Sequence, residues 1–123
     1  MNVKKLQEAV SVLKESLGDG LIAADIWVIS DATSIAGYNS NPQAVALFNQ
    51  VTDFMEKTLD GSGFPKLGKY FLIDLVGEKF VLILPMGEFR WGMLIDRSKV
   101  QLGLVLSIAL PKAIGAFEEA ITG

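Results

Sequence analysis

Cysteine and histidine are both absent from the chain of 123 residues. Without cysteine there can be no disulfide, no thiolate zinc site and no thiol nucleophile. Without histidine the chain lacks the side chain that most often serves as a general base or metal ligand near neutral pH. Ser–His–Asp and Cys–His catalysis are therefore excluded, and only carboxylates remain for acid–base chemistry. We predict that the protein is not an enzyme and has no catalytic, cofactor or metal site.

Clustered basic residues and long apolar runs are also lacking. The net charge is −3, and lysine and arginine are scattered along the chain. A nucleic-acid backbone or an anionic membrane surface would need a basic footprint, so neither is expected as the main partner. The longest apolar run, LGLVLSIALP at 102–111, is shorter than the roughly 20 residues that cross a bilayer. The N-terminus has no signal-peptide pattern. We expect a cytoplasmic protein that does not insert into membranes.

What the chain has is a globular composition, with 50% hydrophobic and 20% charged residues. A chain of this length fits one domain and can bury a single substantial core. We therefore predict one domain over residues 1–123.

Periodicity predicts three helices and five strands. The apolar stripe Val3, Leu6, Val10, Leu13 and Leu17 is typical of an amphipathic helix. Asn41 and Pro42 suit the cap and first turn of a second helix that runs to about Leu59. A third helix is expected over 100–121, kinked or interrupted by Pro111. Runs rich in β-branched and aromatic residues predict strands at 21–30, 34–38, 69–76, 79–84 and 89–96.

This order predicts an α/β (α+β) fold with one antiparallel sheet, because the links between strands are short. Strands around 71–75 and 80–84 are apolar on both faces, as strands are when both faces are covered. We predict a three-layer α/β/α sandwich with a five-stranded antiparallel sheet, the three helices dividing two and one.

The second helix is apolar over about half its circumference, which is more than a one-sided surface helix needs. Val45, Phe48, Thr52, Met55 and Leu59 fill one sector, and Leu47, Val51, Phe54 and Thr58 fill the next. One explanation is that the helix lies alone on its sheet face and is deeply embedded. The other is that the second sector packs against another subunit, since soluble monomers usually avoid such an exposed patch.

The strand at 69–76 supports the second explanation, because an edge strand there would pair across a twofold axis. The predicted dimer interface is therefore Leu47, Val51, Phe54, Thr58, Tyr70, Leu72 and Asp74. Asp74, like Asp25, interrupts an otherwise apolar strand. If it is buried in the dimer it needs a partner such as Lys69 or a backbone N–H. Turn or cap roles are expected for Asp19, Asp31 and Asp96.

The element order resembles that of the roadblock/dynein light-chain family. IWVISDATSIAGYN at 26–39 is similar to the family's first hairpin, although Asp31–Ala32 stands where Asp–Gly is usual, which leaves the turn type open. The segment FRWGMLIDRSKVQLGLVLSIALPKAI at 89–114 resembles the last strand and helix of bacterial members. The resemblance implies a dimer in which the sheet continues across the interface and the second helices pack together. It also implies a regulator or scaffold for a Ras-like small GTPase.

Two further functions stay open. Folds of this profilin-like kind also bind small molecules in a pocket against the sheet, so the chain could be a small-molecule sensor. A carboxylate-only enzyme would rely on Asp25 and Asp74. Residues 63–69 match the spacing GxxxxGK, but Tyr70 follows where a phosphate loop needs serine or threonine. We therefore interpret 60–68 as an exposed loop.

The remaining residues of interest in the strands are one arginine and two tryptophans. Arg90 alternates with Phe89 and Trp91, which predicts a solvated or partly stacked strand residue rather than an arginine finger. Trp27 and Trp91 are expected in the core.

Overall fold

The fold was analysed in a computed structural model that describes residues 2–122. Helix α1 spans Val3–Leu17 and is followed by a 3₁₀ turn at Gly18–Gly20. Strands β1 (Leu21–Val28) and β2 (Thr33–Tyr38) form a hairpin before helix α2 (Pro42–Asp60). Strands β3 (Phe71–Leu75), β4 (Lys79–Met86) and β5 (Phe89–Asp96) follow in succession. The last helix, α3, has three consecutive segments, Leu102–Leu104, the π-helical Val105–Ala109 and Leu110–Thr122.

The five strands form one antiparallel sheet in the order β2-β1-β5-β4-β3. Helices α1 and α3 cover one face over the larger apolar core, and α2 lies alone on the other. Along β4, Phe80, Leu82 and Leu84 point to the two-helix side, whereas Val81 and Ile83 point to α2. The predicted three-layer α/β/α sandwich with its two-and-one division of helices is confirmed, as are the core positions of Trp27 and Trp91.

Three strands, β1, β3 and β4, begin or end two residues away from the prediction. Strand β1 ends at Val28 because the chain turns there, and β3 is shorter than 69–76, so Tyr70 precedes it. Strand β4 continues through Pro85, which was expected to end it. Proline is tolerated because β3 pairs with β4 only as far as Ile83, leaving Pro85 to pair with β5 alone.

Pro111 does not end the last helix. The helix widens to a π turn just before it. There the N–H of Leu110 donates to the carbonyl of Val105, five residues back. Proline lacks an N–H and its ring crowds the carbonyl four residues earlier, so a wider turn ahead of it relieves the clash. The predicted interruption is therefore a local π segment within a continuous helix.

Candidate interaction surface

Helix α2 begins with a strong cap. The side chain of Asn41 accepts from the N–H groups of Gln43 and Ala44, at 3.1 and 3.2 Å, and Pro42 occupies the first turn. These contacts satisfy N–H groups that have no partner within the helix. The sequence therefore fixes where α2 starts and, through its period, which residues point toward the sheet.

The sheet-facing side of α2 carries Val45 and Thr52, both fully buried, with Phe48 and Met55 packed around them. Thr52 is buried without cost to its hydroxyl, which donates to the Phe48 carbonyl at 2.7 Å. The helix is not deeply embedded, because Val45 and Thr52 are its only fully buried residues within the described chain. The helix lies alone on its sheet face, as the first explanation expected, but the deep embedding that this explanation required is wrong.

A polar cluster, centred on Arg90, ties one flank of α2 to the sheet. Arg90 is 1% exposed and donates to the backbone carbonyl of Asn49 at 3.0 Å and to its Oδ1 at 2.7 Å. Its second terminal nitrogen pairs with Asp53 at 2.8 Å and also contacts Glu56. Trp27 adds a bond from Nε1 to Asn49 Oδ1 at 2.9 Å. The prediction that Arg90 is a solvated strand residue is wrong, and the guanidinium is not free to act on another protein.

The opposite side of α2 is apolar and faces solvent. Leu47 is 54% exposed and Phe54 is 70% exposed, with Thr58 also exposed on the same side. Val51 is half-buried and reaches the core between helix and sheet. Helix α2 thus has an apolar side toward the sheet, a polar flank bound to Arg90 and, beyond the sheet-facing side, a second apolar sector that faces solvent.

Strand β3 lies at one end of the sheet and pairs with β4 alone in the described part of the chain. Its outer N–H and C=O groups are thus available for pairing. Tyr70 is exposed just before the strand, and Leu72 packs against the two-helix core. Asp74 is exposed on that same side and pairs with Arg97 at 2.8 Å, not with Lys69.

The other end of the sheet is closed by a side chain. The amide of Gln7, on α1, donates to the Gly37 carbonyl and accepts from the Gly37 N–H, both at 3.0 Å. This pair of bonds imitates an adjacent strand along the outer edge of β2. The two ends of the sheet therefore differ, β2 being blocked at Gly37 while β3 is open.

The structure divides the seven predicted interface residues between two sides of the sheet. Leu47, Val51, Phe54 and Thr58 belong to the α2 side, whereas Tyr70, Leu72 and Asp74 share the side of α1 and α3. One link between α2 and the edge strand is that Val51 packs against the same apolar cluster as Ile73 of β3.

Asp25 is the buried carboxylate that sequence reasoning left without a role. It accepts from Ser34 Oγ at 2.6 Å, from Ser40 Oγ, and from the Asn41 N–H at 3.1 Å. It thereby ties the first hairpin to the start of α2. Asp25 and Asp74 lie on opposite sides of the sheet, so they do not form the carboxylate pair that an enzyme would need.

The remaining sequence motifs have structural roles. Asp31 accepts from the Thr33 N–H, and Asp96 accepts from the Ser98 N–H and hydroxyl, as expected of turn residues. Gly63–Lys69 leads from a helix into a strand and so lacks the helix N-terminus that holds a phosphate. Over residues 2–122 no group of three or more acidic side chains is placed to hold a metal ion. No helix of that same span is long and apolar enough to cross a membrane.

No protein-family model and no curated protein sequence matches the chain. Solved structures do match. Myxococcus xanthus MglB superposes with a TM-score of 0.82 at 11% identity, over 98% of this chain and 90% of that one. The Roadblock/LC7 domain from Streptomyces avermitilis gives 0.67 at 9% identity, over 94% and 97%. Profilin II of Acanthamoeba castellanii gives 0.58 at 15% identity, over 92% and 97%. The chain therefore has the fold of the roadblock proteins, in the variant seen in MglB.

Proposed function

We propose that the protein is a cytoplasmic homodimer that regulates or scaffolds a Ras-like small GTPase. The observation that carries the proposal is the second apolar sector of α2, where Leu47 and Phe54 face solvent on the side opposite the polar flank that Arg90 binds. Neighbouring large apolar side chains that are exposed to water are typical of an interaction surface. The likeness to MglB and to a roadblock domain supports the choice of this partner class.

The dimer would be built from two features, the exposed apolar side of α2 and the open edge of β3. The α2 side chains of two copies pack together, and the β3 edges of the two copies pair across a twofold axis. Full burial contributes roughly 1.5–3 kcal/mol for each large apolar side chain. Burying Leu47 and Phe54 of both copies therefore supplies a substantial driving force for dimerisation. Because Gln7 blocks the edge of β2 at Gly37, the edge that pairs with a second copy is that of β3.

The dimer acts without chemistry of its own. It presents one continuous surface to a GTPase and favours one conformation of the switch loops, which is a shift of population. Arg90 is buried and bound by α2, so it does not serve as an arginine finger.

The test is a GTPase assay with matched variants. A Ras-like GTPase from the same genome, loaded with GDP or a GTP analogue, is assayed for binding and for hydrolysis in the presence of the wild-type chain. We expect binding that depends on the bound nucleotide, lost in Leu47→Asp. Ala46→Asp is the control, since Ala46 is exposed on α2 outside the apolar side. Absence of binding by the wild-type chain to every such GTPase would contradict the GTPase proposal and leave the dimer untouched.

A further inference from the structure

A cavity of about 200 Å³, partly open to solvent, lies between the first half of α2 and the sheet. Its walls are almost wholly apolar, and the small side chains of Ala23 and Ala44 leave the space unfilled. Ala44 and Phe48 line it on the helix side, whereas the arginine cluster binds α2 from Asn49 onward, outside the lining.

The cavity is large enough for a small molecule. An apolar cavity of about 150 Å³ in another protein holds benzene, so this one accommodates a six-membered ring with a short substituent. The aromatic ring of Trp27 forms part of the wall and supplies an apolar contact surface.

One buried polar side chain lines this apolar space. Asp25 is 6% exposed, and all three of its protein contacts are with donors, from Ser34, Ser40 and Asn41. A carboxylate offers about four acceptor positions, so these contacts leave one for a further donor. An apolar wall with one convergent polar group is the usual composition of a ligand site.

We propose that this cavity beneath α2 binds a small cyclic apolar molecule carrying one hydrogen-bond donor, a hydroxyl or ammonium group, which Asp25 accepts. The ring occupies the space between Phe48 and the sheet, and the donor reaches the carboxylate. Carboxylate ligands are excluded because Asp25 accepts hydrogen bonds and would repel a second anion. The proposal does not depend on GTPase binding or on dimerisation.

The experiment uses three probes with the same ring: benzylamine, benzyl alcohol and benzoate. Binding is measured by intrinsic tryptophan fluorescence, to which Trp27 and Trp91 both contribute, and by thermal unfolding of the full chain. We expect Kd values for benzylamine and benzyl alcohol of about 0.1–1 mM, within the ligand efficiency of such small molecules. At ten times the Kd, the Tm should rise by about 4–8 °C. Benzoate at equal concentration should leave the Tm unchanged.

Two alanine-to-leucine variants of α2 locate the site. Ala44→Leu fills the cavity, keeps a good helix former in the helix, and should weaken benzylamine binding at least tenfold. Ala46→Leu makes the same change on the exposed side of the helix and should bind as the parent does. The proposal is overturned if neither donor probe raises the Tm at 10 mM, or if Ala44→Leu binds benzylamine as tightly as the parent. It is equally overturned if benzoate binds as well as benzylamine.

Discussion

At the scale of single residues, Ala32 shows where the sequence departs from what its turn requires. Its φ is 55°, in the left-handed region where a β-carbon is strained. Asp31 steadies the turn by accepting from the Thr33 N–H at 3.1 Å. The turn type that the sequence left open is therefore one that suits glycine, and alanine occupies it under strain.

Replacing Ala32 by glycine should stabilise the fold. The relief of strain exceeds the extra entropy of glycine in the unfolded chain, and we expect a gain of about 0.5–1 kcal/mol in the free energy of unfolding. Urea denaturation measures it. Ala46→Gly, in the exposed middle of α2, is the control and should lose about 1 kcal/mol. A loss in both variants would contradict the argument.

Removing Arg90 should release α2. In Arg90→Met the Asn49 carbonyl loses its buried donor, while Asp53 and Glu56 are partly exposed and can be rehydrated. We expect a loss of about 1–3 kcal/mol in the free energy of unfolding. Arg97→Met breaks an exposed pair and should cost less than about 1 kcal/mol. Equal effects of the two variants in urea denaturation would show that Arg90 does not anchor the helix.

Asp96 gives a prediction for pH. The Ser98 hydroxyl and then the Ser98 backbone N–H donate to the carboxylate, which lowers the pKa of Asp96 below its ordinary value of 3.8. The folded pKa is depressed, so this contribution to stability is present above the unfolded pKa and is lost as the pH falls through the folded pKa. In Ser98→Ala the pKa of Asp96 should rise toward 3.8 in an NMR titration. An unchanged pKa would mean that the hydroxyl has no part in the shift.

At the scale of elements, the two edges of the sheet are treated differently. An open edge invites pairing with another chain, and proteins usually block those they do not use. Gln7 blocks β2 by bonding both polar groups of Gly37, whereas β3 carries no comparable block among the contacts of residues 2–122.

Gln7→Ala should expose the β2 edge. Hydrogen exchange of the Gly37 N–H should accelerate several-fold, because its acceptor is gone, and the free energy of unfolding should fall by about 0.5–1.5 kcal/mol. Sedimentation should detect species larger than those of the parent, since both edges of each sheet can then pair. Glu8→Ala, at the next exposed position of α1, is the control. Unchanged exchange at Gly37 would contradict the role of Gln7.

The sequence predicted the elements well because each one is locally encoded. Asn41 and Pro42 mark the start of α2, and the spacing of Val45 and Thr52 marks its sheet-facing side. Arg90 was misinterpreted because its partner Asn49 lies 41 residues away and leaves no local signal. Flanking aromatic residues gave no indication that the guanidinium lies under a helix. The role of Asp25 was likewise hidden in contacts with Ser34 and Ser40.

At the scale of the whole molecule, the two faces of the sheet are unequally covered. Two helices enclose the larger core, while a single helix, shallowly seated, covers the other face. On the singly covered face, Val51 of α2 and Ile73 of the open edge strand β3 pack against the same apolar cluster. The proposed dimer would cover the exposed side of α2 and pair the β3 edge.

Sedimentation velocity of the wild-type chain with Leu47→Asp, Phe54→Asp and Ala46→Asp tests this account most directly. We predict that the wild type and Ala46→Asp sediment as dimers at micromolar concentration. Leu47→Asp and Phe54→Asp should sediment as folded monomers, because a carboxylate cannot be buried unpaired in the interface. If all four proteins sediment as single subunits, or all four as dimers, the outward side of α2 is not where two copies meet.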